Sequence, residues 1–189
     1  VSRKPMIISI AAISGGGKTT ITNELQKRLD NSKALYFDDY EFEESPADIC
    51  KWVEDGADYN EWNLEPLVTD IQLVLDDNTM EYIFLDYPFA YLNSGLAEFI
   101  DFAIYIDTPL DIAMARRIIR DFSGGSSEDI QRDLSYYLLR GRLAYLEMEK
   151  SVKPNSDIIL DGSLSTEIIV EQIIKELREK EKNPNSIKV

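Results

Sequence analysis

The sequence contains no histidine, and that absence removes imidazole acid–base catalysis and histidine metal ligation from consideration. Any general base in this chain is therefore expected to be a carboxylate. The single cysteine, Cys50, excludes an intramolecular disulfide and fits a reducing compartment, so a cytoplasmic setting is expected. Basic residues are scarce: 20 lysines and arginines stand against 35 acidic residues, for a formal charge of −15, and they form no basic run. Neither a nucleic acid nor an anionic membrane surface is an expected partner of such a chain. No apolar run approaches the length that spans a bilayer, and no secretory leader is visible. At 189 residues the chain is expected to form one domain over residues 1–182, followed by a disordered tail at 183–189. No feature of the sequence specifies an oligomeric state.

Short apolar runs alternate with longer amphipathic ones, the pattern of an α/β fold whose parallel sheet is covered by helices. Strands are predicted at about 6–12, 33–37, 81–86, 102–107 and 157–160, and helices at about 18–29, 65–77, 109–121, 127–150 and 165–180. Thr108-Pro109-Leu110-Asp111 reads as a helix start, with Thr108 as N-cap, Pro109 at the first helical position and Asp111 as the returning acid. Two stretches fit no regular element: an acidic, aromatic-rich insertion at about 38–63 and a Ser/Gly joint within about 121–128. The insertion starts at the carboxyl end of a strand, where open α/β sheets bind ligands, so both stretches are candidates for substrate binding and closure.

The most informative segment is Ala12-Ile13-Ser14-Gly15-Gly16-Gly17-Lys18-Thr19-Thr20, which follows the apolar strand and opens an amphipathic helix. It matches the G-x-x-x-x-G-K-[ST] phosphate loop, with Ala12 at the place of the first glycine. Consecutive glycines let backbone N–H groups converge on phosphate oxygens, and the following helix adds its positive end. Lys18 is placed to reach the β- and γ-phosphates and Thr19 to offer a hydroxyl to Mg²⁺; the expected cofactors are Mg²⁺ and ATP or another nucleoside triphosphate.

Phosphoryl transfer also needs a second metal-side oxygen, a group for the acceptor, and cations for the transferred charge. Asp86 closes the run Tyr82-Ile83-Phe84-Leu85-Asp86 as a Walker-B-type acid would. Asp38 and Asp39 follow the second strand, and in extended chain only one of them can face the γ-phosphate. Arg116, Arg117 and Arg120 share one helix, where their spacing lets two or three guanidinium groups converge. Tyr40, Trp52, Tyr59, Trp62 and Tyr87, together with Asp39, are candidates for contact with the acceptor, the aromatic rings by stacking. The insertion holds only Lys51 as a cation, which favours an acceptor without a phosphate.

Taken in order, Ser14 to Thr20, Phe37-Asp38-Asp39-Tyr40, the acid closing strand three, and Ile106-Asp107-Thr108 leading into Ala115-Arg116-Arg117-Ile118-Ile119-Arg120-Asp121 resemble uridine kinase and its relatives, the nicotinamide riboside kinases, phosphoribulokinases and bacterial pantothenate kinases. The resemblance spans about residues 6–162. It implies a P-loop NTPase fold of three layers, with a five-stranded parallel sheet in the order 2-3-1-4-5, an acceptor-binding insertion and a short lid. It further implies that Asp38 is the catalytic base and a metal-side group, that Asp86 and Thr19 assist Mg²⁺, that Lys18, Arg117 and Arg120 act on the transferred phosphoryl, and that Ser14 to Thr20 and Arg116 hold the nucleotide. The chain departs from the family at Asp86, where a Glu is usual, and in Phe122 to Ser127, which carries none of the family's lid arginines. The lack of histidine argues against uridine itself as acceptor. A kinase for a small alcohol, a nucleoside or related riboside, is the expected function, with pantothenate, a sugar phosphate or another small metabolite as the alternative acceptor; a nucleotide-binding module with a degenerate lid is the competing expectation.

Overall fold

The computed structural model describes residues 4–77 and 79–182. The tail predicted to be disordered, 183–189, lies outside the described residues. The strands are β1 (Met6–Ala11), β2 (Ser32–Tyr36), β3 (Tyr82–Asp86), β4 (Phe102–Asp107) and β5 (Ile158–Asp161). They form one parallel sheet in the order β2-β3-β1-β4-β5, as the resemblance implied.

Successive residues along a strand face opposite sides, and here they feed two separate cores. Ile7, Ile83, Leu85, Ala103 and Tyr105 face one side, where α3 (Glu65–Leu75), α4 (Ser94–Ala97) and the insertion cover them with Leu67, Ile71, Leu96, Trp52 and Tyr59. Ile8, Ile10, Phe84, Ile104 and Ile106 face the other side, against Ile21 and Leu25 of α1 (Lys18–Arg28) and Ile169, Val170, Ile173 and Leu177 of α8 (Thr166–Lys182). The central strands are buried on both faces, which is why they read as unbroken apolar runs.

The insertion is more regular than the sequence suggested. It contains a 3₁₀ turn at Phe37–Asp39, the helix α2 (Ile49–Glu54) and a second 3₁₀ turn at Tyr59–Glu61. The Asp48 side chain caps α2 by accepting from the Lys51 N–H, and Gly56, at φ 107°, turns the chain away afterwards. Six residues are too few to show a helical period, so α2 escaped the sequence reading.

The segment predicted as one helix at 127–150 is a run of helical pieces: α6 (Ser127–Tyr136), a π-helical turn (Tyr137–Gly141), α7 (Arg142–Glu147) and another π-helical turn (Met148–Val152). Ser126 and Asp129 form a reciprocal capping box at its start. The helix before it, α5 (Leu110–Asp121), begins one residue later than expected, and Thr108 does not cap it. Thr108 is buried beneath the phosphate loop, where its hydroxyl donates to the Gly16 carbonyl at 2.8 Å. A buried hydroxyl takes the acceptor that satisfies it, and here that acceptor lies across the sheet end, not on the local helix.

Candidate active site

Residues 12–20 form a tight loop between β1 and α1. Gly15 and Gly17 hold φ values of 79° and 97°, in the region that favours glycine, and the Gly16 N–H donates back to the Ile13 carbonyl at 2.8 Å. The helical ladder of α1 starts with the Ile21 N–H on the Gly17 carbonyl, so the N–H groups of Lys18, Thr19 and Thr20 point out of the helix end without a helical acceptor. Those groups and the helix dipole make this end an anion site. Helix α5 crosses close behind the loop: a Cβ on Gly15 would sit 2.1 Å from the Ala113 carbonyl oxygen. Gly15→Ala is therefore expected to destabilise the fold by about 1–3 kcal/mol and to abolish nucleotide binding. Thermal melts and an ATP titration check this, and wild-type affinity in that variant would contradict the packing described.

Asp86 ends β3 beside the loop, 2 % exposed, and pairs in register with Ile10 on one side and Tyr36 on the other. Its carboxylate accepts from the Lys18 ammonium with one oxygen and from the Thr19 hydroxyl with the other. An Asp carboxylate and a threonine hydroxyl at a phosphate loop are the hard oxygen donors that Mg²⁺ takes, usually one or two from protein with phosphates and water completing the shell. Among the described residues there is no cluster of three or more acidic, histidine or cysteine groups placed to hold an ion.

A cavity of about 700 Å³ opens over the loop, lined by residues 12–20 together with Phe37, Asp38, Pro88, Arg116, Arg120, Ala144, Tyr145 and Met148. Asp38 and Asp39 sit in the 3₁₀ turn and not in extended chain, and only Asp38 lines the cavity. Asp38 is exposed on the cavity wall, and its charge acts on Arg120; the charge of Asp39 acts on Tyr36 and Tyr40. Arg120 donates to Asp121, reaches the Ser14 hydroxyl at 3.4 Å, and keeps 61 % of its side chain exposed. Asp121 holds it protonated, and Arg120 in turn draws the Asp121 carboxyl below the usual carboxylate range. Arg116, which lines the same cavity, donates to the Gly162 carbonyl at 3.5 Å.

Arg117 turns the other way. Both terminal nitrogens of its guanidinium donate to Asp133 on α6, and it lines a second cavity of about 570 Å³ on the far side of Ala144 and Tyr145. The sequence placed the arginines on one converging face; the structure divides them between two cavities, because Asp133 offers Arg117 a bidentate partner that the helix surface does not.

The aromatic acceptor candidates stand elsewhere. Trp52 and Tyr59 are buried in the core with their rings in edge contact, Trp62 packs against Phe37 and Phe89, and Tyr87 is fully buried. Tyr40 donates to Asp70 at 2.7 Å, and both burial and that carboxylate push its hydroxyl above its ordinary pKa. Neither these residues nor Asp39 line the loop cavity. The rings pack on one another and on the aliphatic side chains of the sheet and α3, and this burial removes their faces from a ligand. Phe37 alone of the cluster reaches the cavity. Pro88, Tyr145 and Met148 line it too, and sequence reasoning missed them. Tyr145 and Met148 lie in a helical run whose apolar spacing looks like ordinary core, and only the fold brings it over the loop.

No family model matches the chain. It is similar to the curated uridine kinases of Staphylococcus haemolyticus and Staphylococcus aureus, at 27 % identity over 87 % of this chain and 91 % of each relative. Among solved structures it resembles a deoxyadenosine kinase from M. mycoides at TM-score 0.51 and 17 % identity, covering 92 % of this chain and all of that one. A gluconokinase from Sinorhizobium meliloti superposes at TM-score 0.56 and 14 % identity, covering 97 % of each chain. Both structural likenesses carry the fold. The sheet order and the structural likenesses show a P-loop kinase fold, and the sequence similarity is to uridine kinases.

Proposed function

We propose that this chain transfers the γ-phosphoryl group of Mg·ATP to a hydroxyl of an unphosphorylated small molecule, a nucleoside or related riboside. One observation carries the proposal: the phosphate loop, the Asp38 carboxylate and the Arg120 guanidinium line the same cavity, so donor, base and charge-stabilising cation share one volume. Asp38 accepts the proton of the acceptor hydroxyl as its oxygen attacks phosphorus. Lys18, the N–H groups of the loop and Arg120 bind the oxygens that gain charge. Phe37, Pro88, Tyr145 and Met148 give the acceptor a largely apolar wall that excludes water from the transferred group. Mg²⁺ would be held by Thr19 and Asp86 and would neutralise the phosphate oxygens.

The curated relatives are named uridine kinases, and the solved neighbours are kinases of a deoxynucleoside and of gluconate, which supports an alcohol acceptor. A panel of ribosides, deoxyribosides, pantothenate, sugars and sugar phosphates, read as acceptor-stimulated ADP release, tests the proposal. Stimulation by at least one neutral hydroxyl compound is expected. ATP binding with no stimulation by any of them would favour the degenerate binding module instead.

A further inference from the structure

We propose that Asp133 is a specificity-determining residue: by neutralising Arg117 it keeps phosphorylated acceptors out of the second cavity. The inference rests on the kinase reading above and refines its substrate class. Arg117 is anchored at the phosphate loop, since a Cβ on Gly15 would meet the Arg117 Cβ at 3.2 Å. Its guanidinium reaches from there into the second cavity, where one terminal nitrogen donates to an Asp133 oxygen at 3.1 Å and the other donates to the second oxygen. Asp121 adds a carboxylate oxygen 3.8 Å away. The side chain is only 12 % exposed, and its Nε–H has no partner among the described residues.

Arg117 therefore meets the cavity with its charge balanced. A phosphate entering the same place would take the guanidinium only by displacing a carboxylate or lying against it. The remaining charge on the wall is likewise spoken for: Asp48 accepts from Arg140 at 2.8 Å. Tyr136, Tyr137 and Tyr145 add neutral polar groups to the wall, and Ala144 and Tyr145 line both cavities, so the second one adjoins the cavity over the phosphate loop. The lid residues 122–126 hold no cation that could add a positive charge here.

The test uses inorganic phosphate as the probe, titrated against the acceptor at saturating Mg·ATP so that the phosphate loop is occupied. Asp133→Asn keeps the shape and removes the charge; phosphate is expected to compete with the acceptor about tenfold more strongly in this variant than in the wild type. Asp133→Glu, which restores the carboxylate, should return phosphate inhibition to the wild-type level. The gain should also vanish in Arg117→Gln/Asp133→Asn. Unchanged phosphate inhibition in Asp133→Asn overturns the proposal, as does an equal gain in Asp133→Glu. Should no acceptor support turnover, a result that strikes the kinase reading alone, phosphate binding is measured by calorimetry on protein loaded with a non-hydrolysable ATP analogue. The same tenfold gain is expected there, and equal affinity in the two proteins overturns the inference. Asp133→Ser replaces the asparagine variant if thermal melts show the latter unfolded.

Discussion

Asp38→Asn is expected to lower acceptor-dependent turnover about 10²–10⁴-fold while leaving the affinity for Mg·ATP nearly unchanged. Asparagine occupies the same space and still accepts a hydrogen bond, but it cannot take the proton of the attacking hydroxyl. The chain offers no histidine to replace it. Of the two adjacent acids after β2, only Asp38 lines the cavity over the loop; the charge of Asp39 acts on Tyr36 and Tyr40. Asp39→Asn is accordingly the matched control and should retain turnover. Equal losses in both variants would mean that the segment's overall charge, not a positioned base, controls the rate.

Lys18→Ala is expected to act twice. With nucleotide present, the β- and γ-phosphates lose a cation held 15 % exposed at the loop, and kcat/KM should fall about 10²–10³-fold. Without nucleotide, the same substitution strips the buried Asp86 carboxylate of its ion-pair partner, and the fold should lose about 3–5 kcal/mol. Adding Asp86→Asn should recover most of that stability and none of the activity, because the uncompensated charge is gone but the phosphate ligand is not restored. Melting temperatures and steady-state rates on the two variants separate these effects. A Lys18→Ala protein as stable as the wild type would show that the Lys18–Asp86 pair contributes nothing to the unliganded fold.

The parts of this molecule that were legible from the sequence are those dictated locally. A buried parallel strand announces itself as an apolar run, and the observed strands begin and end within a residue or two of the expected positions. The phosphate loop is likewise a local device, since its glycines, lysine and threonine are adjacent in the chain. Asp86 was readable because a strand must end where its apolar run ends. What escaped was set by distant partners. Thr108 looked like a helix cap until the Gly16 carbonyl, far away in sequence, claimed its hydroxyl. Arg117 looked equivalent to Arg120 until Asp133 drew it into a separate cavity. The aromatic residues of the insertion were read as ligand platforms, but they pack on one another and on the aliphatic side chains of the sheet and α3. Tyr145 and Met148 carried no signal, because a residue that lines a cavity from a helix face has the same spacing as one that fills a core.

The most direct measurement is identification of the product by ³¹P NMR or mass spectrometry after incubation of the wild type and Asp38→Asn with Mg·ATP and each neutral hydroxyl compound. The expected result is one acceptor carrying a single new phosphate ester in the wild-type reaction, with ADP in equal amount, and neither product above background with Asp38→Asn. ATP bound at the loop with no phosphorylated acceptor in any reaction, or equal yields from both proteins, would contradict the assignment of this cavity as a hydroxyl kinase site.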